Sequence, residues 1–276
     1  MEYNHILHMN DNMIVLFADI IGFSADVRNN ITTTAQTEGF NIDLASTYNN
    51  IVARYTEEYQ ASQGIKFLWV SDSIFITCEA KNINTLLLEL DYIINQLYCT
   101  HYVIRGGISL GMLYFEKNLW GTAVVTAVDY EKKAVYPRVI ISKNDFEALN
   151  ICDENRLFFK STELNGFLEY DYINSFLSRK IKEGKTISCY LNVYSCVIQD
   201  RFVHCTEKNH KEKWAYLAYQ LEAAIDRNID YILTENRKAL ERSDGSEKRH
   251  LTPAEFLDKM RNALEYAQIC KYKWER

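Results

Sequence analysis

Residues 13–24 read MIVLFADIIGFS. The first six are an unbroken apolar run, the pattern of a strand covered on both faces. Asp19 closes that run with a charge, and Ile20-Ile21-Gly22-Phe23-Ser24 follows as a turn. Working outward, Leu44, Tyr48, Ile51, Val52, Tyr55 and Tyr59 recur at helical spacing. Residues 65–77 (IKFLWVSDSIFIT) hold two β-rich runs around Ser71-Asp72-Ser73, which predicts a hairpin with the polar trio at its tip. Ile83, Leu86, Leu90, Ile93 and Leu97 mark a second helix. Residues 102–115 return to strand character with glycines inside it, a sign of a bulge or of close backbone approach. A helical stretch runs from Gly121 to Val135, then Pro137 and the apolar run 139–141. The order is βαββαβ with a further α and β: an α+β, ferredoxin-like, split-βαβ arrangement.

Composition narrows the function classes. The 276 residues are 47% hydrophobic and 25% charged with two prolines, as in a globular chain. A net charge of −6 speaks against a phosphate-neutralising surface, so no nucleic-acid partner is expected. The acidic excess lies before residue 206, since 206–276 carries 14 basic and 13 acidic residues. No run approaches the roughly 20 apolar residues that span a bilayer. The start, MEYNHILHMND, has neither a basic nor an apolar signal region. No membrane association and a cytoplasmic location are therefore expected. Seven cysteines without a CxxC pair suit a reducing compartment.

The rest of the chain reads differently. Short strands are predicted at 157–160 and 186–198, and from Lys208 the pattern is helical, with Trp214, Leu217, Leu221, Ile225, Ile229 and Ile232 in register. A break at Ser243-Asp244-Gly245-Ser246 precedes a last helix, signalled by Thr252, Pro253 and Glu255. The expected division is a core over 1–150, remaining α/β elements over 151–205 and a mainly helical extension over 206–276. His204, Cys205 and His210 match no standard zinc spacing.

Two aspartates stand out. If the first strand lies beside the 65–77 hairpin, Asp19 and Asp72 meet at one end of the sheet. Paired carboxylates repel unless a cation or proton is shared, and a magnesium-type ion needs few protein oxygens. Backbone N–H groups of the turn at 20–24 would then suit a polyphosphate. The alternative is that each aspartate only caps a turn.

VLFADIIGFS (15–24), WVSDSIFI (69–76), IRGGISLG (104–111) and WGTAVVTAVDYEKKAVYPRVIIS (120–142) resemble, in order and spacing, the class III nucleotidyl cyclase catalytic domain. The likeness covers residues 13–150. The SDSI hairpin and the YPR segment look most like the bacterial pyrimidine cyclases of the Pycsar antiphage system. The resemblance implies that Asp19 and Asp72 bind metal, with Ile20 lending a backbone carbonyl, and that Gly22, Phe23 and Ser24 wrap a triphosphate. It implies two ions, Mg²⁺ or Mn²⁺, a homodimer with sites at its interface, and a product that activates a separate effector in antiphage defence.

Departures from the family pattern carry information too. Purine cyclases hold a base-reading Lys where this chain has Leu68, which cannot hydrogen-bond a purine nitrogen. Tyr48 either narrows a base pocket or is helix core, and Asn118 offers a donor and an acceptor to a pyrimidine edge. The family's transition-state Asn and Arg align with Val125 and Asp129, leaving Arg105 and Arg138 as candidates for the missing positive charge, with Arg138 the expected catalytic one. Gly106, Gly107, Gly111 and Gly121 are expected to line the nucleotide and the dimer interface. The leading expectation is a uridylate or cytidylate cyclase taking UTP or CTP. The alternatives are an adenylate or guanylate cyclase with an unusual pocket, and a silent cyclase-like module that binds nucleotide or dimerises.

Overall fold

The computed structural model describes residues 10–24, 42–115, 118–242, 251–271 and 274, and the chain divides into two compact units, Met1–Tyr170 and Asp171–Arg276. In the first, β1 (Asn10–Ile21), α1 (Ile42–Arg54), α2 (Glu57–Gln63), β2 (Ile65–Val70), β3 (Ser73–Glu79), α3 (Ile83–Cys99) and β4 (Val103–Phe115) follow one another as the sequence predicts. Their sheet order is β2-β3-β1-β4, and every neighbouring pair is antiparallel. Each crossover is therefore split: β3 lies between β1 and β2, and β1 lies between β3 and β4. This is the ferredoxin-like arrangement. A short β5 (Leu119–Trp120) folds back on β4, and α4 (Thr122–Ala134) leads to β6 (Val139–Ser142). The short helices α5 (Lys143–Ala148) and α6 (Asp153–Arg156) come before β7 (Phe159–Ser161) and β8 (Phe167–Tyr170). These strands extend the sheet as β4-β6-β8-β7, with β6 parallel to β4.

Strand alternation assigns the two faces. Ile14, Leu16, Ala18 and Ile20 of β1, with Ile74, Ile76 and Cys78 of β3, are buried on the face that takes α3. Helix α3 is buried nearly all round and carries two buried carboxylates, Glu89 and Asp91. Glu89 accepts hydrogen bonds from Arg54, Tyr55 and Tyr59, which ties α1 and α2 to α3, and Asp91 accepts from Tyr170 at 3.0 Å. Burial pushes Glu89 up, but those three partners outweigh it and hold its carboxyl below the usual range.

The other face of β1 and β4 takes α4, through Val15, Phe17, Leu113, Ala123 and Ala127. Here the crowded glycines find their physical reason. A Cβ on Gly107 would lie 2.6 Å from the Ala127 carbonyl, and one on Gly111 would lie 2.8 Å from Thr122 Oγ1. They seat α4 on β4 within its own unit. The expectation that the four glycines line a nucleotide is corrected at Gly107 and Gly111, whose open side is filled by α4; a Cβ on Gly106 would meet β1 at Phe17 and Ala18, and one on Gly121 would meet β4 at Met112.

The second unit is helical: α7 (Tyr172–Lys182), α8 (Ser188–His204), α9 (Lys208–Arg227), α10 (Ile229–Arg242), α11 (Pro253–Lys259) and α12 (Arg261–Cys270). The strand predicted at 186–198 is therefore corrected to helix. Tyr190, Val193, Tyr194 and Val197 gave a β-like composition, yet burial falls on Leu191, Tyr194, Ser195, Ile198 and Phe202, at helical spacing. Glu235 of α10 accepts from the backbone N–H of Ile187 (2.9 Å) and from Ser188 Oγ (2.9 Å), supplying the cap that α8 lacks in its own sequence. Thr252 and Glu255 form the predicted capping box. Of the span 151–205, residues through Tyr170 lie in the first unit and the remainder in the second. The predicted break at 243–246, the N-terminal nine residues and the Leu44 side chain lie outside the described residues. Among the described residues, no helix is long and apolar enough to cross a membrane.

Candidate active site

The β1–β3 ladder sets Asp19 opposite Ser73, and the backbone N–H of Ile20 donates to the Asp72 carbonyl at 2.8 Å. Asp19 and Asp72 thus stand side by side at one end of the sheet. The hairpin that presents Asp72 has a two-residue turn, Ser71-Asp72, between Val70 and Ser73. Ser71 takes a left-handed backbone (φ 57°), which costs a non-glycine residue roughly 1–2 kcal/mol. Trp69 offsets that cost by donating its indole N–H to the Ser71 carbonyl at 2.7 Å. On the far side of Asp72, Ser24 Oγ donates to Asp72 Oδ2 at 2.6 Å. Gly22, at φ 89°, makes the reversal that carries Ser24 there. Phe23 lies half-buried between them.

Asp19 also pairs across the ladder with Arg105 of β4, whose Nη2 lies 3.6 Å from Asp19 Oδ2. The guanidinium makes a closer ion pair with Glu131 of α4, a residue whose side chain is 6% exposed. Burial raises the Glu131 carboxyl above its usual range and Asp19 adds to the rise, while Arg105 opposes it. Sequence reasoning missed Glu131. The available signal was helical period: Glu131 follows Ala127 by four residues, and Ala127 already faces the glycines of β4.

The donor set fits a hard divalent cation. Among the described residues no group of three or more His, Cys, Asp or Glu side chains could hold a metal, and the pair of carboxylates at this end of the sheet is Asp19 and Asp72. An ion of the Mg²⁺ type suits a pair of that kind, because it completes its shell with water and phosphate oxygens. Ile20 buries its side chain in the core and commits its N–H to Asp72.

The remaining candidates scatter. Leu68 shares a face with Asp19, in the cross-strand row Leu68, Phe75, Phe17, one pair removed from the aspartate, and is half-buried. Tyr48 packs edge-on against Trp69, with ring centres 4.8 Å apart. Trp69 and Leu68 are successive residues of β2, so they point to opposite faces. Tyr48, 39% exposed, therefore lies on the Trp69 side of the strand and does not meet Leu68. Asn118 is exposed beyond the C-terminal end of β4, about 30 Å of strand away from Arg105.

Arg138 is corrected most clearly. Its side chain is 1% exposed; Nη1 and Nη2 donate to Glu163 at 3.0 and 2.6 Å, Nε donates to the Ala134 carbonyl, and Glu169 lies 3.6 Å away. A guanidinium so enclosed is a structural ion pair and presents nothing to the carboxylates at Asp19 and Asp72. Val125 and Asp129 both lie on the exposed side of α4.

No protein-family model matches the chain, and no curated protein sequence matches it. Among solved structures, the adenylyl cyclase CyaB from P. aeruginosa is similar at 14% identity and a TM-score of 0.42, over 59% of this chain and 94% of that one. Two structures of a bacterial light-regulated adenylyl cyclase are similar at 13% and 12% identity, each with a TM-score of 0.40, over 60% of this chain and 52% of those.

Proposed function

We propose that the chain is a class III-type nucleotidyl cyclase that converts UTP or CTP into the 3′,5′-cyclic monophosphate and pyrophosphate with Mg²⁺ or Mn²⁺. The observation that carries this reading is the pairing of Asp19 and Asp72 through the Ile20–Asp72 hydrogen bond, beside the 22–24 turn. The two divalent cations that those carboxylates would hold supply the chemistry, one lowering the pKa of the ribose 3′-hydroxyl and the other neutralising the β- and γ-phosphate oxygens. Asp19 and Asp72 would hold both, and Ser24 orients Asp72 by its hydroxyl. The turn at 22–24 lies where backbone N–H groups can take a triphosphate. In the reaction the 3′-oxygen bonds to the α-phosphorus, the bond from that phosphorus to the bridging oxygen breaks, and pyrophosphate leaves with the electron pair. The hydroxyl proton passes to solvent.

Pyrimidine selectivity is supported by Leu68, which puts an apolar side chain one row from Asp19 where a purine reader would need a donor. A head-to-tail homodimer is supported by the distance of Asn118 from Asp19: such a pairing lets one copy's Asn118 approach the other copy's carboxylates. By the same resemblance, the product is a second messenger for an effector in antiphage defence. A silent nucleotide-binding module is the second reading, favoured by the enclosure of Arg138 and by Val125 and Asp129 standing where the family has its Asn and Arg. Incubation with each of the four nucleoside triphosphates and Mn²⁺, with products resolved by chromatography, tests both. Cyclic UMP or cyclic CMP is expected; cyclic AMP as the sole product removes the pyrimidine reading, and metal-dependent binding without product selects the silent module.

A further inference from the structure

We propose that the end of the sheet away from Asp19 and Asp72 carries a second binding site, for an amphipathic organic anion whose charged group sits between Lys66 and Thr77 and whose planar body rests on Phe115. A cavity of about 670 Å³ opens there, a size suited to a small molecule. Met13, Ile65, Leu113 and Phe115 give it an apolar lining, and Lys66 and Thr77 stand in its wall. Thr77 pairs with Val15, four residues along β1 from Asp19, which is about 13 Å of strand. Lys66 is the direct partner of Thr77 across the β2–β3 ladder. Their side chains therefore share one face, with Cβ atoms about 5 Å apart. Two observations point to a ligand at this pair. Thr77 is 1% exposed and its hydroxyl has no hydrogen-bond partner, an unmet cost that an accepting group would remove. Lys66 gives one ammonium hydrogen to the Phe115 carbonyl at 2.9 Å and holds its charge 4.8 Å from the centre of that ring, which leaves two hydrogens for an anion. Of the other charged groups in the lining, Glu79 and Lys81 close on each other at 2.7 Å, and Asp11 is exposed at the start of β1. An aromatic body laid on Phe115 brings its anionic group to the Lys66 ammonium and the Thr77 hydroxyl together.

The test is fluorescence titration of the full chain with two probes that share one aromatic body: anilinonaphthalene sulfonate, which carries an anion, and phenylnaphthylamine, which lacks it. Saturable binding of the sulfonate at one site per chain is expected, and its absence would overturn the inference. Lys66→Gln is expected to weaken the sulfonate at least fivefold and to leave the neutral probe within twofold. An equal change for both probes, or none for the sulfonate, would overturn it. Thr77→Val keeps the side chain's shape and removes the hydroxyl; a loss of sulfonate affinity of at least threefold is expected, whereas Thr77→Ser, which retains the hydroxyl, is expected to stay within twofold of wild type. Unchanged binding in Thr77→Val, or an equal loss in Thr77→Ser, would remove the hydroxyl's role and overturn the inference. Should Thr77→Val fail to fold, the two probes on Lys66→Gln decide alone, since the Lys66 side chain is exposed. Asp72→Asn is expected to leave sulfonate binding within twofold; a larger change would put the probe at the carboxylate pair and overturn the inference.

Discussion

The backbone N–H of Ile20 donates to the carbonyl of Asp72, 52 positions further along the chain. Through this one bond the last turn of β1 and the tip of the β2–β3 hairpin share a reference point, and both carboxylates inherit it. Asp72→Asn keeps that backbone bond and removes the charge. It is expected to lower cyclase turnover on the order of a hundredfold or more with an unchanged melting temperature. Ser24→Ala, which loses only the hydroxyl that orients Asp72, is expected to cost about tenfold. Steady-state kinetics with circular-dichroism melts checks both.

Arg138 separates a structural from a catalytic role. Arg138→Ala strands the Glu163 carboxylate beside a cavity and leaves Glu169 to Lys160, and unfolding in urea is expected to show a loss of about 3–5 kcal/mol. If Arg138 stabilised the reaction's transition state instead, turnover would fall with stability preserved.

Gly107→Ala tests the seating of α4. The added methyl meets the Ala127 carbonyl at 2.6 Å and cannot be accommodated by rotating a side chain, because the obstacle is backbone. A destabilisation of about 1–3 kcal/mol is expected. Gly166→Ala, whose new methyl has nothing within 4 Å, is the contrasting control for crowding, although its φ of 85° adds strain of its own.

Glu89 gives a pH dependence. Its folded carboxyl is held below the unfolded value of about 4.3, so the stabilisation it provides is complete above that value and is lost as pH falls through the lower folded one. Wild type is therefore expected to exceed Glu89→Gln in stability at neutral pH, with the gap closing as pH drops below 4. Denaturant titrations at stepped pH measure that gap.

The parts of the fold legible in the sequence were those written in local pattern. The run 13–18, the hairpin 65–77 and the helical periods around Ile51 and Leu90 each specify their element before any packing is known. Asp19 and Asp72 followed from that order, since two split crossovers leave few ways to arrange four strands. Residues 188–204 misled because Tyr, Val and Ile favour strands by composition, and what decides their state is which side is buried. Arg138 misled for a similar reason. A lone arginine beside a strand reads as available, and its partners Glu163 and Glu169 arrive from β8 and the segment before it. Glu131 stayed hidden because its meaning depends on α4 crossing β4 at Gly107.

That crossing has a consequence for how the molecule absorbs change. A helix resting on side chains can slide as they swap rotamers, but at Gly107 α4 rests on strand backbone, where no rotamer can give way. The height of α4 above β4 is therefore gauged at that point by two main chains in direct touch.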